Sequence, residues 1–178
     1  MGGGLNLQEI WNHRVRLADL SRGSIELDLE ADEARRRDIA RALAIPELKS
    51  LKARLRLRSW LDGAELSGQV DAHLVLQSGV SLELFDEQVR TAIEGRFVPA
   101  GSPHAPDETA EIELDPDLPD PPEVLAGEEI DVAAFVVEHL ALSVDPFPRR
   151  PGETFDYSPP QDDDSPFAVL KRLKDDKQ

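Results

Sequence analysis

The side chains able to do chemistry in this chain are few and scattered. The four histidines, His13, His73, His104 and His139, stand far apart in a sequence of 178 residues. None has a second histidine four positions away, the spacing at which a helix presents two imidazoles to one zinc ion. Each is therefore read as a surface or core-edge residue, and His139 adjoins Glu138 on a helix pattern where neighbours point apart. There is no cysteine, which excludes a disulfide framework, a thiolate zinc site, an iron–sulfur cluster and a cysteine nucleophile. Gly79-Val80-Ser81-Leu82-Glu83 begins like a nucleophile elbow but lacks the closing glycine and the strand-to-helix setting, so serine hydrolysis is rejected. No phosphate-cradling glycine loop is present. Asp162-Asp163-Asp164 lacks the glycine and distal glutamate of a calcium loop and reads as a solvated tether. No catalytic residue, metal site or cofactor is expected. The contrasting hypothesis is a small-molecule- or metal-binding enzyme using carboxylates and His73 within a sheet, which needs a deep pocket of convergent polar groups.

The patterned chemistry is cationic. Lys52, Arg54, Arg56 and Arg58 alternate with Leu51, Ala53, Leu55 and Leu57, and successive side chains on a strand point to opposite faces. One face is aliphatic and the other a basic stripe that could contact RNA phosphates. Solvation, or pairing with the acidic half of the same chain, residues 59–178, is the favoured reading, because no aromatic platform interleaves the charges and Trp60 alone does not make one.

The elements that must carry this stripe follow from periodicity. Glu47 to Val98 reads as three strands. The basic run is followed by an Asp62-Gly63 turn signal, and a second strand runs from about Leu66 to Gln77 with Val70, Ala72, Leu74 and Leu76 on one face. The third run takes in Leu82 and Leu84, breaks phase near Asp86, and resumes at Val89, Thr91, Ile93, Gly95 and Phe97, which suggests a bulge or bend. Upstream, Val15 and Leu17 alternate with Arg14 and Arg16, and Ser24 to Glu30 alternates more clearly. Asp32 can cap a helix with Ile39, Ala42 and Leu43 inside, ended by Pro46. Downstream, Asp131 caps a helix of about three turns with Val132, Phe135, Val136, His139, Leu140 and Leu142 as its apolar stripe. The expected fold class is α+β, an antiparallel β-meander or partial barrel packed with two main helices. A single domain is placed at 1–152, with an acidic, proline-rich loop at 99–127 interrupted by a short strand at Ala110 to Leu114. An acidic tail, 153–178, carries a short amphipathic helix at about 166–175, whose Phe167, Leu170 and Leu173 would dock on a partner groove or on the domain itself.

Net charge is −16, unevenly spread. Residues 1–58 carry 12 Lys+Arg against 9 Asp+Glu (+3), and residues 59–178 carry 8 against 27 (−19). Between Arg96 and Arg149 there are 13 acidic residues and no Lys or Arg. Such a field repels phosphate backbones and draws basic partners, so non-specific nucleic-acid binding by the whole surface, and DNA binding in particular, is not expected. No apolar run is long enough to span a bilayer and no secretory signal is seen, so the expectation is a soluble cytoplasmic protein without membrane attachment.

Val75 to Glu83, Gly127 to Val132, Val137 to Gly152 and Ser165 to Leu170 together resemble the YceD-like family, also called domain of unknown function 177, in order and with similar spacing. The most specific part is the helix ending in Leu140-x-Leu142 before Pro146-Phe147-Pro148. Relatives are implicated in accumulation of large-subunit ribosomal RNA, and no enzymatic activity is established for them. The resemblance implies a non-enzymatic factor in large-subunit ribosome biogenesis that binds a basic ribosomal protein, large-subunit rRNA, or both. A general protein-interaction scaffold is a further alternative. Many relatives carry Cys-x-x-Cys where Ser78 and Ser81 stand here. Hydroxyls do not replace thiolates on zinc, so a metal role does not carry over to these two positions.

Overall fold

The computed structural model describes residues 10–106 and 120–154. In chain order it has β1 (Arg14–Arg16), a 3-10 helix (Leu17–Arg22), β2 (Ile25–Glu30), α1 (Glu33–Ala42), β3 (Glu47–Trp60), β4 (Gly63–Gln77), β5 (Leu84–Pro99), β6 (Glu123–Leu125), β7 (Glu129–Asp131) and α2 (Val132–Ser143). The fold is α+β. A five-stranded sheet runs β2-β3-β4-β5-β6, antiparallel except for the β5–β6 pair, and β1 pairs with β7 in a second small sheet. Among the described residues the ladders do not close, so the five-stranded sheet is open there, with β2 and β6 at its edges.

Alternation in β3 buries Leu51, Ala53, Leu55 and Leu57 and turns the basic stripe outward, as the pattern requires. Leu48 and Leu51 are both buried although they are three residues apart. The register shift between Leu48 and Ser50 explains this: Lys49 is the extra residue of a bulge, which restores the phase. The bulge expected near Asp86 is absent. β5 pairs with β4 without a break from Leu84 to Phe97, and its inner face runs through Phe85, Val89, Ile93 and Phe97. Leu82 and Leu84, which set the wrong phase in the sequence pattern, are both exposed.

The β3–β4 hairpin turns at Leu61-Asp62, with Trp60 opposite Gly63. Positive φ falls on Leu61 (52°), not on the glycine. Gly63 is needed for another reason: a Cβ there would lie 1.9 Å from the carbonyl oxygen of Phe97. β4 buries Val70, Ala72, Leu74 and Leu76 as expected.

Asp32 caps α1 by accepting from Arg35 N at 2.9 Å. The helix ends before Pro46 is reached. Ile45 N–H donates to Ala40 O and Ala44 N–H to Arg41 O, a Schellman closure with Ala44 at φ 53° where glycine is usual. Ile39 and Ala40 are its buried residues, with Leu43 half-buried.

Asp131 ties the small β1–β7 sheet to α2. Its carboxylate accepts from Ala134 N at 3.2 Å and from His13 N at 3.0 Å, while Val132 N–H donates to His13 O. α2 buries Val132, Ala133, Phe135, Val136, Val137 and Leu140 against the sheet's inner face. Leu142, expected inside, is 78% exposed at the rim of the buried arc. The helix comes close to the sheet at Gly95, where a Cβ would lie 2.6 Å from the Phe135 ring, itself edge-on to Phe97. The 99–127 stretch is not loop throughout, since β6 adds to β5 in parallel at Phe97–Pro99. The strand expected at 110–114 lies outside the described residues.

Candidate functional site

On the outer face of the sheet the stripe meets its counter-charges through strand register. Glu26 lies opposite Arg56, Asp28 opposite Arg54 and Glu30 opposite Lys52. Lys52 reaches Glu30 at 3.1 Å and Arg56 reaches Glu26 at 3.6 Å. From β4, Glu65 pairs with Arg58 and, at 3.3 Å, with Arg96, whose guanidinium lies 5.2 Å from the centre of the Trp60 ring. The Glu65 side chain is 16% exposed. Arg58's hydrogen bond, reinforced by Arg96, holds its carboxyl below the usual range against the opposing push of burial. Farther along, Arg90 donates to Asp71 at 2.5 Å, and Asp86 gathers Lys49 and His73, the latter at 2.8 Å. The Lys49 bond, then the His73 bond, lowers the Asp86 carboxyl, and the same contact with Asp86 raises Lys49. Arg54 alone of the four stripe residues makes no ion pair among the described residues. The stripe is thus set in a chequerboard of carboxylates. Its alternation was legible in the sequence; the pairing was not, because it depends on register between strands.

A second cluster forms at the β4–β5 turn, around the two serines. Ser78, fully buried, and Ser81 both donate from Oγ to the carboxylate of Glu153, Ser81 at 2.5 Å. Ser78 Oγ in turn accepts from Val80 N and Ser81 N. Gly79 N–H donates to Pro148 O at 2.9 Å, Arg150 N–H donates to Glu153, and the Arg150 guanidinium pairs with Glu83. Donation from Ser78, then from Ser81, lowers the Glu153 carboxyl below its ordinary value. The arrangement is a clasp that pins residues 148–153 to the sheet. Glu153 stands at the start of the stretch assigned to the tail, and nothing local in the sequence marks it as a partner of serines more than seventy residues away.

An open groove of about 820 Å³ lies along β5 near Glu94–Arg96, bounded by α2 and by residues 120–123. Arginine and carboxylate side chains both line it. Burial, and secondarily the charge of Glu138, raises the Glu123 carboxyl, while His139 opposes the shift. His139 is built into the helix, with Nδ1 3.0 Å from Phe135 O and its ring against that of Phe135. His73 does not line this groove; it is half-buried beside Asp86. Among the described residues no group of three His, Cys, Asp or Glu is placed to hold a metal ion, and no helix is long and apolar enough to cross a membrane. Phe167, Leu170 and Leu173, with the rest of the predicted tail helix, lie outside the described residues, as does Asp162 to Asp164. Comparison with protein-family models, with curated proteins and with solved structures finds no match in any of the three.

Proposed function

We propose that this chain is a non-catalytic binding protein of the cytoplasm, acting in large-subunit ribosome assembly, and that its principal partner is a basic ribosomal protein. The process is taken from the resemblance to the YceD-like family. The observation that favours a basic protein over naked rRNA is the pairing of the stripe. Lys52, Arg56 and Arg58 each lie against a carboxylate, so little cationic surface is free to displace counterions from phosphates. The rest of the chain supplies the negative field, with 13 acidic residues and no Lys or Arg between Arg96 and Arg149. Such a field speeds encounter with a cationic partner and weakens as salt screens it.

The test is affinity capture from a native lysate at low and high salt, followed by identification of the bound material. Large-subunit ribosomal proteins or pre-ribosomal particles should be enriched at low salt and released at high salt. The reading fails if no large-subunit component is enriched at either salt. Capture of rRNA that persists after removal of ribosomal proteins would make RNA the direct ligand instead.

A further inference from the structure

Among the described residues β5 is an open edge for most of its length, covered by β6 at Phe97–Pro99. The direction of the remaining backbone groups follows from the ladder. Ser78 N–H donates to Glu83 O one step before the Gln77–Leu84 pair, so odd-numbered residues of β5 bond to β4 and even-numbered residues, from Leu84 to Arg96, aim N–H and C=O away from the sheet. The same parity brings Val98 against β6. Among the described residues no other backbone segment bonds to this edge. No proline interrupts it before Pro99. Of the five charged side chains from Leu84 to Arg96, three are drawn back across the sheet, Asp86 to Lys49 and His73, Arg90 to Asp71 and Arg96 to Glu65, while Glu87 and Glu94 make no ion pair among the described residues. At its start Leu84 is 60% exposed.

We propose that this edge pairs with the same edge of a second copy of the chain, antiparallel about a two-fold axis at Gln88, joining the two sheets into one. Side-chain complementarity selects the register. With the axis at Gln88, each Asp86 lies opposite the other copy's Arg90 and each Leu84 opposite the other's Ala92, over nine residues or roughly 30 Å of strand. An axis at Arg90 sets Arg90 against itself and Asp86 against Glu94. An axis at Val89 sets Leu84 against Glu94. An axis at Ala92 sends Asp86 against Val98, where β6 already sits. A two-fold contact of this kind is self-complementary and closes at two copies.

The full chain is measured by light scattering coupled to gel filtration, where a dimer has twice the monomer mass of 19.7 kDa. Because the chain has no cysteine, Gln88→Cys and Ala92→Cys are single-thiol reporters. Gln88→Cys should form an interchain disulfide, since paired Cα atoms at the axis are about 5.5 Å apart, and Ala92→Cys should not. Gln88→Pro removes an outward N–H while sparing the β4 ladder, so it should give a folded monomer by circular dichroism. If it fails to fold, Gln88→Lys, which opposes two ammonium groups at the axis, serves instead and should also give a monomer. The proposal is overturned by a wild-type monomer at every concentration, by crosslinking at Ala92→Cys in preference to Gln88→Cys, or by Gln88→Pro and Gln88→Lys proteins that both stay dimeric. A wild-type monomer whose even-numbered β5 amides, from Leu84 to Arg96, resist hydrogen exchange would assign the edge to a segment of the same chain, and equally overturns it.

Discussion

If β2 neutralises the basic stripe, removing its carboxylates should create RNA affinity that the native protein lacks. The perturbation is the triple variant Glu26→Gln, Asp28→Asn, Glu30→Gln, which strips the residues opposite Arg56, Arg54 and Lys52 and leaves those cations in place. Three uncovered cations on single-stranded RNA imply a log–log salt slope of about −2, at roughly 0.7 per phosphate neutralised. A fourfold rise in salt should then weaken binding about twenty-fold, whereas the native protein, with Arg54 alone unpaired on this face, should bind weakly with a slope of about −0.7. The fold should survive. Both observed pairs are well exposed, with side-chain accessibilities of 60% and 63% for Lys52–Glu30 and 61% and 75% for Arg56–Glu26, and exposed pairs each contribute about 0.2–1 kcal/mol. The assay is fluorescence anisotropy of a labelled RNA across a salt series, with a thermal melt as the folding control. Two outcomes refute the reasoning: a native protein that already shows the steep slope and loses it on Arg54→Glu, Arg56→Glu, Arg58→Glu, or a triple variant whose slope does not change.

Three further outcomes follow from local geometry. Ala44→Gly should stabilise the protein by about 0.5–1 kcal/mol, because the left-handed penalty of roughly 1–2 kcal/mol at φ 53° is relieved and only partly offset by glycine's greater unfolded-state freedom; a denaturant midpoint that falls would contradict this. Gly95→Ala should cost about 1–3 kcal/mol through the clash with the Phe135 ring, read as a lower melting temperature. Glu153→Gln should loosen residues 148–153 in a pH-dependent way. The native carboxyl titrates below its ordinary 4.5, so the clasp's contribution is full above that value and lost as pH falls through the lower folded one. The gap between native and variant proteolysis rates at that segment should be widest near neutral pH and close under acid; a gap that is constant or grows on acidification would show that Glu153 does not titrate in this way.

How much of this was legible in the sequence depends on the range of the interaction involved. The longer strands β2 to β5 and the two N-caps follow from spacing within a few residues, as Leu51 to Arg58, Asp32 and Asp131 show, whereas the three-residue β6 and β7 are too short to carry a pattern. Phase errors arose where an apolar residue was assumed to be buried. Leu84 belongs to the third apolar run yet is exposed, and Leu142 falls on the helix's apolar stripe yet lies at its rim. The Lys49 bulge left only an odd separation between two buried leucines, and the Ala44 cap carried an alanine where glycine would have announced it. The Glu153 clasp and the ion pairs of the outer face join residues far apart in sequence, and no local pattern encodes them.

The same distinction governs how a charge map is turned into a function. A run of Lys and Arg read along one strand has a sign; read across a sheet it has a partner. Glu26, Asp28 and Glu30 alternate on β2 as regularly as the cations do on β3, and antiparallel register turns two opposite stripes into one compensated face. Once that face is close to balance, the net charge of −16 is expressed elsewhere, and its largest uninterrupted share is the stretch between Arg96 and Arg149. A basic protein and a phosphate backbone respond to that stretch with opposite signs, so a chain that attracts one repels the other over a Debye length of about 8 Å at physiological salt. Only locally uncovered cations, Arg54 foremost among the described stripe residues, remain to work against that field.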